Sequence, residues 1–203
     1  MDYQKFAELS PTAYGDVLPR EHFISHNIQS LWNPAPRIAG PAFTVQMTPG
    51  EHLMMHVAIY KAPKGSIIVA DAGDCSNAVA GGNVCATAQQ RGIAGFVVDG
   101  VIRDLKEIRD SQFPVYAQGV FPVPGAKKEV SPLNQPITCG GVSVSAGDVI
   151  VADEEGIVVI PNAIADDVYL KAKAKAEKDE KMSLEDWQDN HYARISEAYG
   201  DEL

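Results

Sequence analysis

The stretch AGGNVCATAQQRGIAGFVVDGVIRD, residues 80–104, decides the fold. Its small residues Ala80-Gly81-Gly82 lead into a helical run over 82–90, which Arg91-Gly92 stops. The next apolar run, residues 95–100, has strand length and no polar alternation, as in a strand covered on both faces. Upstream, SIIVAD (66–71) reads as a second buried strand. Before it lies a helix opened by Gly50-Glu51, with Leu53, Met54, Val57, Ala58 and Tyr60 at helical spacing, and ended by Pro63-Lys64-Gly65. Farther out are an extended Pro/Gly-spaced segment (34–48) and a short helix around 11–18. Downstream, Asp104 and Glu107 have the spacing of a capping box, with Asp in place of Ser or Thr, and FPVYA (113–117) returns as a strand. Strands alternating with helices predict an α/β fold.

From Thr138 the period changes. Short strands at 141–145, 148–152 and 157–160 are joined by Ala146-Gly147 and Asp153-Glu154-Glu155-Gly156, so this half reads as antiparallel and the sheet as mixed. Residues 1–162 are read as one α/β domain and 163–203 as a charged helical tail holding 6 Lys+Arg against 11 Asp+Glu. In the tail, Trp187, Tyr192, Ile195 and Tyr199 are spaced to lie against something apolar, such as another subunit.

The whole chain has 203 residues, is 45% hydrophobic and carries a net charge of −10. That balance argues against a nucleic-acid binder, which needs a basic footprint, and disfavours anionic membrane surfaces. No apolar run approaches the roughly 18 residues of a membrane span, and the amino terminus lacks a signal-peptide pattern. Cys75, Cys85 and Cys139 show no C-x-x-C spacing and read as reduced thiols of a cytoplasmic protein. The terminal Gly200-Asp201-Glu202-Leu203 resembles a retention signal, but without a signal peptide it is read as chance.

Two loops carry the candidate chemistry. At Gly81, Gly82, Asn83 and Val84 a helix start exposes unpaired N–H groups, and glycines let an anion approach them. In the loop 98–104, Arg103 offers a fork for a carboxylate, and Asp104 can hold a hard divalent cation through oxygen. The bland alternatives are close helix–strand packing for the glycines, an ion pair for Arg103 and a helix cap for Asp104. Both loops follow buried strands, so in an α/β sheet they can face one pocket equipped for a small 2-oxo acid and a metal.

Five segments in order, GEHLMMHVAI (50–59), IIVADAG (67–73), residues 80–104, FPVYAQGV (113–120) and AGDVIVADEEGIVVIP (146–161), resemble one family. It contains the regulator of ribonuclease activity A and the class II 4-hydroxy-4-methyl-2-oxoglutarate aldolases. The resemblance implies a swivelling-domain-like β/β/α core assembled as a trimer or a pair of trimers, with sites between subunits. It implies pyruvate held by the backbone at Gly81, Gly82, Asn83 and Val84 and by Arg103 as catalytic residue, with Mg²⁺ or Mn²⁺ at Asp104. The implied activity is a divalent-metal-dependent lyase that cleaves 4-hydroxy-2-oxo acids to pyruvate, with oxaloacetate decarboxylation as a second activity. The other implied role is a non-catalytic regulator docked on an RNA-processing enzyme. One departure stands out: aldolase members commonly carry an acid 21 positions before the Arg, where this chain has Gly82.

Other features are read as structural. His22/His26 and His52/His56 have i, i+4 spacing but not the H-E-x-x-H order, and His56 is read as a core-edge or interface residue. Asp71 and Asp74 are candidates for outer contacts to the site or for turn caps. Residues 153–156 are read as a hairpin turn. His191 is read as solvated, and no serine or cysteine is placed as a nucleophile.

Overall fold

The computed structural model describes residues 2–200; the last three residues of the retention-like terminus lie outside them. Four parallel strands form the middle of the sheet: β2 (Ile38–Gln46), β3 (Ile67–Asp71), β4 (Gly95–Ile102) and β5 (Val115–Val120). Helices α2 (Leu53–Lys61), α3 (Gly82–Gln90) and α4 (Leu105–Asp110) make the crossovers between them. β3 is central, and its residues Ile67 to Ala70 have no exposed surface. Full burial of such a branched side chain contributes about 1.5–3 kcal/mol, which is why SIIVAD tolerates no polar alternation.

The short β1 (Gln29–Ser30) pairs antiparallel with β5 at one edge. On the other side of β2, β8 (Val149–Asp153) and β9 (Gly156–Ile160) form an antiparallel hairpin, giving the order β1-β5-β4-β3-β2-β8-β9. Phe23 bridges Val158, and the Ile24 N–H donates to Ile157 O (3.0 Å). The segment before β1 therefore runs beside β9, and the mixed sheet nearly closes on itself. β6 (Ile137–Cys139) and β7 (Val142–Val144) form a separate two-stranded ribbon. The antiparallel half thus differs from the sequence expectation in one pairing: Ala146-Gly147 joins β7 to β8 without making them partners. β8 instead pairs with Ile38–Pro41 on the edge of β2 opposite to β3.

Beneath the hairpin, Phe6 and Tyr14 of the amino-terminal turns pack with Ala165, Val168, Tyr169 and Ala172 of α5 (Ala165–Glu180). Tyr14 follows the Ser10 cap of α1 (Pro11–Gly15) and donates its hydroxyl to Phe6 O at 2.9 Å. α6 (Leu184–Tyr199) starts in a capping box built by Ser183 and Asp186 and buries none of its residues within the chain. Trp187, Tyr192 and Tyr199 are exposed, and His191 stacks on Trp187 with ring centroids 4.4 Å apart. Among the described residues no helix is long and apolar enough to cross a membrane.

A candidate active site at the start of α3

Strand β4 does not end at residue 100 as its apolar run suggests; it continues to Ile102. Val98 pairs with Ala117 and Val101 with Gly119, so β4 spends one residue more than β5 over the same span. That extra residue is a bulge, which re-aims the strand end. A Cβ on Gly100 would press on Ala72 Cβ at 2.5 Å, so only glycine fits the kink.

The extended strand end carries a small ladder that assembles the site. Ala78 bridges both Val101 and Pro124; Val79 N–H donates to Val101 O and Arg103 N–H to Ala80 O, each at 3.0 Å. On the far side, Ala126 N–H donates to Gly50 O (2.8 Å) and His52 N–H to Ala126 O (2.9 Å). Four segments remote in sequence, 50–52, 124–126, 78–80 and 101–103, thus lie side by side. Glu51, only 9% exposed, locks the arrangement: its Oε2 accepts from the N–H groups of Lys128 (2.9 Å) and Glu129 (3.3 Å).

A cavity of about 230 Å³ opens over this ladder, lined by Gly81, Asn83, Val84, Arg103, Asp104 and, on its other wall, His52, His56 and Lys127. Arg103 and the start of α3, separate loops in the sequence, are brought together. The volume suits a small oxo acid and falls short of the roughly 300–1,000 Å³ of a drug-sized ligand pocket.

Asp104 departs from the capping-box expectation. It occupies the N-cap position of α4 but with left-handed backbone (φ 60°), and its side chain makes no cap hydrogen bond. The carboxylate turns instead to α3: Oδ2 accepts from Gly82 N–H at 3.1 Å and lies 3.5 Å from Arg103 Nε. Gly82 therefore has its amide engaged by Asp104. With Cys85 N–H bonded to Gly81 O (3.0 Å), the first-turn amides of Asn83 and Val84 are the donors this helix start has left for an anion. The two glycines leave room for the side chains packed on this turn. A Cβ on Gly81 would overlap Asp104 Oδ2 and stand 3.0 Å from Arg103 Cγ. A Cβ on Gly82, where the resemblance implies an acid, would overlap Glu107 Oε2.

Burial, followed by the charges of Lys127 and His52, pushes the pKa of His56 down to about 4. That of His52 is lowered as well, chiefly by burial. Their rings, with centroids 4.7 Å apart, are neutral at pH 7 and leave Arg103 and Lys127 as the cationic side chains of the lining. Cys85, on the buried face of α3, has its thiol pushed up to about 12 by burial and by the Asp104 charge, so it stays protonated.

The sequence did not single out Lys127 or the tie from Glu51, because both arise from contacts across more than seventy residues. His52 and His56 did carry a signal: i, i+4 spacing placed them on one face, but that face lines this cavity. The pair His22/His26 is not helical; His22 closes a single 3-10 turn (Arg20–His22) and lies 3.0 Å from Val159 O through Nδ1. Asp71 and Asp74 accept from the N–H groups of Gly73 and Ser76, as turn caps do.

Asp104 is one carboxylate, 37% exposed at its side chain, with Oδ1 unengaged by the described residues; no cluster of three or more His, Cys, Asp or Glu that could hold a metal exists among them. That donor set fits a hard divalent ion held by one carboxylate and several waters, as Mg²⁺ prefers, and does not fit a closed structural zinc site.

Known proteins share this architecture. The chain is 40% identical over 177 residues (87% of this chain, 84% of the relative) to a Halalkalibacterium halodurans protein named "Putative 4-hydroxy-4-methyl-2-oxoglutarate aldolase". It is 28% identical over 154 residues (76% of this chain, 93% of the relative) to the Thermus thermophilus 4-hydroxy-4-methyl-2-oxoglutarate aldolase. The solved structure of Streptomyces coelicolor RraAS2, described as an unusual member of the RNase ES inhibitor RraA protein family, superposes with a TM-score of 0.77 at 25% identity. That match covers 88% of this chain and 93% of RraAS2. The RraA-like family profile, described as Aldolase/RraA, matches residues 11–159, and the chain belongs to that family.

Proposed function

We propose that this protein is a divalent-metal-dependent lyase that cleaves 4-hydroxy-2-oxo acids, of the 4-hydroxy-4-methyl-2-oxoglutarate type, to pyruvate. The observation that carries the reading is the convergence of Arg103, the Asp104 carboxylate and the free amides of Asn83 and Val84 on one small cavity.

The substrate carboxylate docks on the amides of Asn83 and Val84, where the helix start favours negative charge. That contact holds the C3–C4 bond in a fixed orientation for cleavage. As the bond breaks, its electron pair moves into the C2–C3 bond and charge builds on the C2 oxygen. The Arg103 guanidinium is placed to stabilise that charge, and removing one such donor costs about 10²–10³-fold in rate. Asp104 would hold a Mg²⁺ or Mn²⁺ ion, which when bound supplies Lewis-acid polarisation of the 2-oxo group. Lys127 adds positive charge at the opposite wall for a second carboxylate of the substrate. Loss of CO₂ from oxaloacetate leaves the same enolate, so decarboxylation belongs to the same proposal.

The proposal includes assembly into trimers or pairs of trimers. It is supported by the exposed apolar side chains of Val120, Phe121 and Val123, which border the segment that carries Lys127. The regulator role is favoured by one observation, the absence of a side chain at Gly82. The test is a screen of pyruvate formation from several 4-hydroxy-2-oxo acids and oxaloacetate, with Mg²⁺, Mn²⁺ or EDTA. Formation that EDTA abolishes is the expected result; no pyruvate from any substrate under any condition overturns the lyase and leaves the regulator.

A further inference from the structure

We infer that Glu107 supplies the proton-carrying carboxylate of this site, occupying the space that a side chain at position 82 would fill. Glu107 lies one helical turn beyond Asp104 on α4, and its carboxylate is folded back onto the start of α3. An ideal Cβ on Gly82 would overlap Glu107 Oε2 and lie 2.9 Å from its Cδ and 3.0 Å from its Cβ. The backbone of Gly82 is thus wedged between two carboxylates: its N–H holds Asp104 Oδ2, and its α-carbon is covered by Glu107. Its neighbours on either side, Gly81 and Asn83, line the cavity.

Two further observations separate this from ordinary surface packing. Glu107 is exposed yet makes no ion pair or side-chain hydrogen bond with any described residue, although Lys106 and Arg109 flank it in sequence. Among the described residues none neutralises or consumes the carboxylate. The cavity lining, to which Glu107 itself does not belong, holds one acid, Asp104, and that carboxylate already faces Gly82 N–H and Arg103.

The inference rests on the lyase reading and fills a role that reading leaves open. Acting through one bridging water, a distance general bases commonly work over, Glu107 accepts the C4 hydroxyl proton as C3–C4 breaks. C4 becomes a carbonyl, and the electron pair is held in the pyruvate enolate. Glu107 then returns that proton to C3, giving pyruvate and a carboxyl group in its starting state. Run on pyruvate alone, the same carboxylate removes a C3 proton and returns a deuteron from D₂O.

Exchange of the pyruvate methyl protons, followed by proton NMR in D₂O with Mn²⁺ or Mg²⁺ added, isolates this step from the choice of cleavage substrate. Glu107→Gln keeps the shape and the helix-start preference. It is expected to slow exchange by about 10²-fold, with an unchanged melting midpoint. Glu107→Ala with Gly82→Asp returns a carboxylate to the same space from α3 and is expected to recover exchange to within about tenfold of wild type. Recovery is the outcome a merely structural role for Glu107 would not produce. Exchange by Glu107→Gln at the wild-type rate, or a folded double variant no faster than Glu107→Ala, overturns the inference. A wild-type protein that neither exchanges pyruvate protons nor cleaves any oxo acid overturns the lyase reading itself, and this inference with it.

Discussion

Gly81→Ala adds one methyl group to the chain and changes no functional group, yet it is expected to disable the site. The backbone of Gly81 (φ −157°, ψ −171°) is extended and open to any residue, so alanine meets no conformational penalty there. The cost falls on the neighbours. The new Cβ overlaps Asp104 Oδ2 and stands 3.0 Å from Arg103 Cγ and 3.3 Å from Arg103 Nε, all at the tight end of contact or beyond it. Both side chains must swing away, and the 3.1 Å bond from Gly82 N–H to Asp104 is lost with them. Losing one hydrogen bond to a charged, partly exposed group costs about 1–2 kcal/mol, which in a chain of this length lowers the melting midpoint by roughly 2–8 °C. Activity suffers more, because a displacement of about 1 Å in a positioning group can cost 10²-fold. Pyruvate release, read by a lactate dehydrogenase couple, should therefore fall about 10²-fold while circular dichroism shows a folded protein. A Gly81→Ala protein with wild-type rates would refute the placement of Asp104 and Arg103 in the reaction.

Other expectations concern the far wall and its supports. An unfolded imidazole titrates near 6.5 and folded His56 near 4, so in between the unfolded chain binds a proton that the folded chain refuses. Stability should fall by about 1–2 kcal/mol as pH drops through that window, after discounting for the ring's partial exposure. His56→Asn should flatten that part of a melting-versus-pH curve; an unchanged slope would contradict the burial argument. Glu51→Ala should lower stability by about 1.5–3 kcal/mol by stranding the amides of Lys128 and Glu129. It should also raise KM several-fold by loosening Lys127, whereas Glu51→Gln, which keeps an acceptor, should do much less. Chemical denaturation and steady-state kinetics on the two variants test both parts.

The α/β reading was legible because burial on both faces leaves a plain mark. IIVAD and GFVVDG have no polar alternation, and Gly82 to Gln90 forms the helix over the residues its start and stop signals delimit. What local pattern could not carry is how backbone is spent between elements. The bulge between Val98 and Val101 is visible only against the register of β5, and it carries Arg103 onward to the start of α3. Asp104 has a cap residue's position and spacing, yet Gly82 N–H competes successfully for its carboxylate. The pairing of β8 with β2 rather than β7 joins strands about a hundred residues apart across the edge of β2 opposite to β3, a partnership that the local turn signal at Ala146-Gly147 does not carry. The wall formed by His52, His56 and Lys127 depends on residues 124–126 lying between 50–52 and 78–80, a neighbourhood no window of sequence contains.

The central claim is that Arg103 and Asp104 act together on a 2-oxo acid held at the start of α3. It is tested most directly by measuring Mg²⁺-dependent pyruvate release from 4-hydroxy-4-methyl-2-oxoglutarate by the wild type, Arg103→Ala and Asp104→Ala side by side. The account predicts release by the wild type and a loss of about 10²-fold or more in each variant; variants that release pyruvate as fast as the wild type would contradict it.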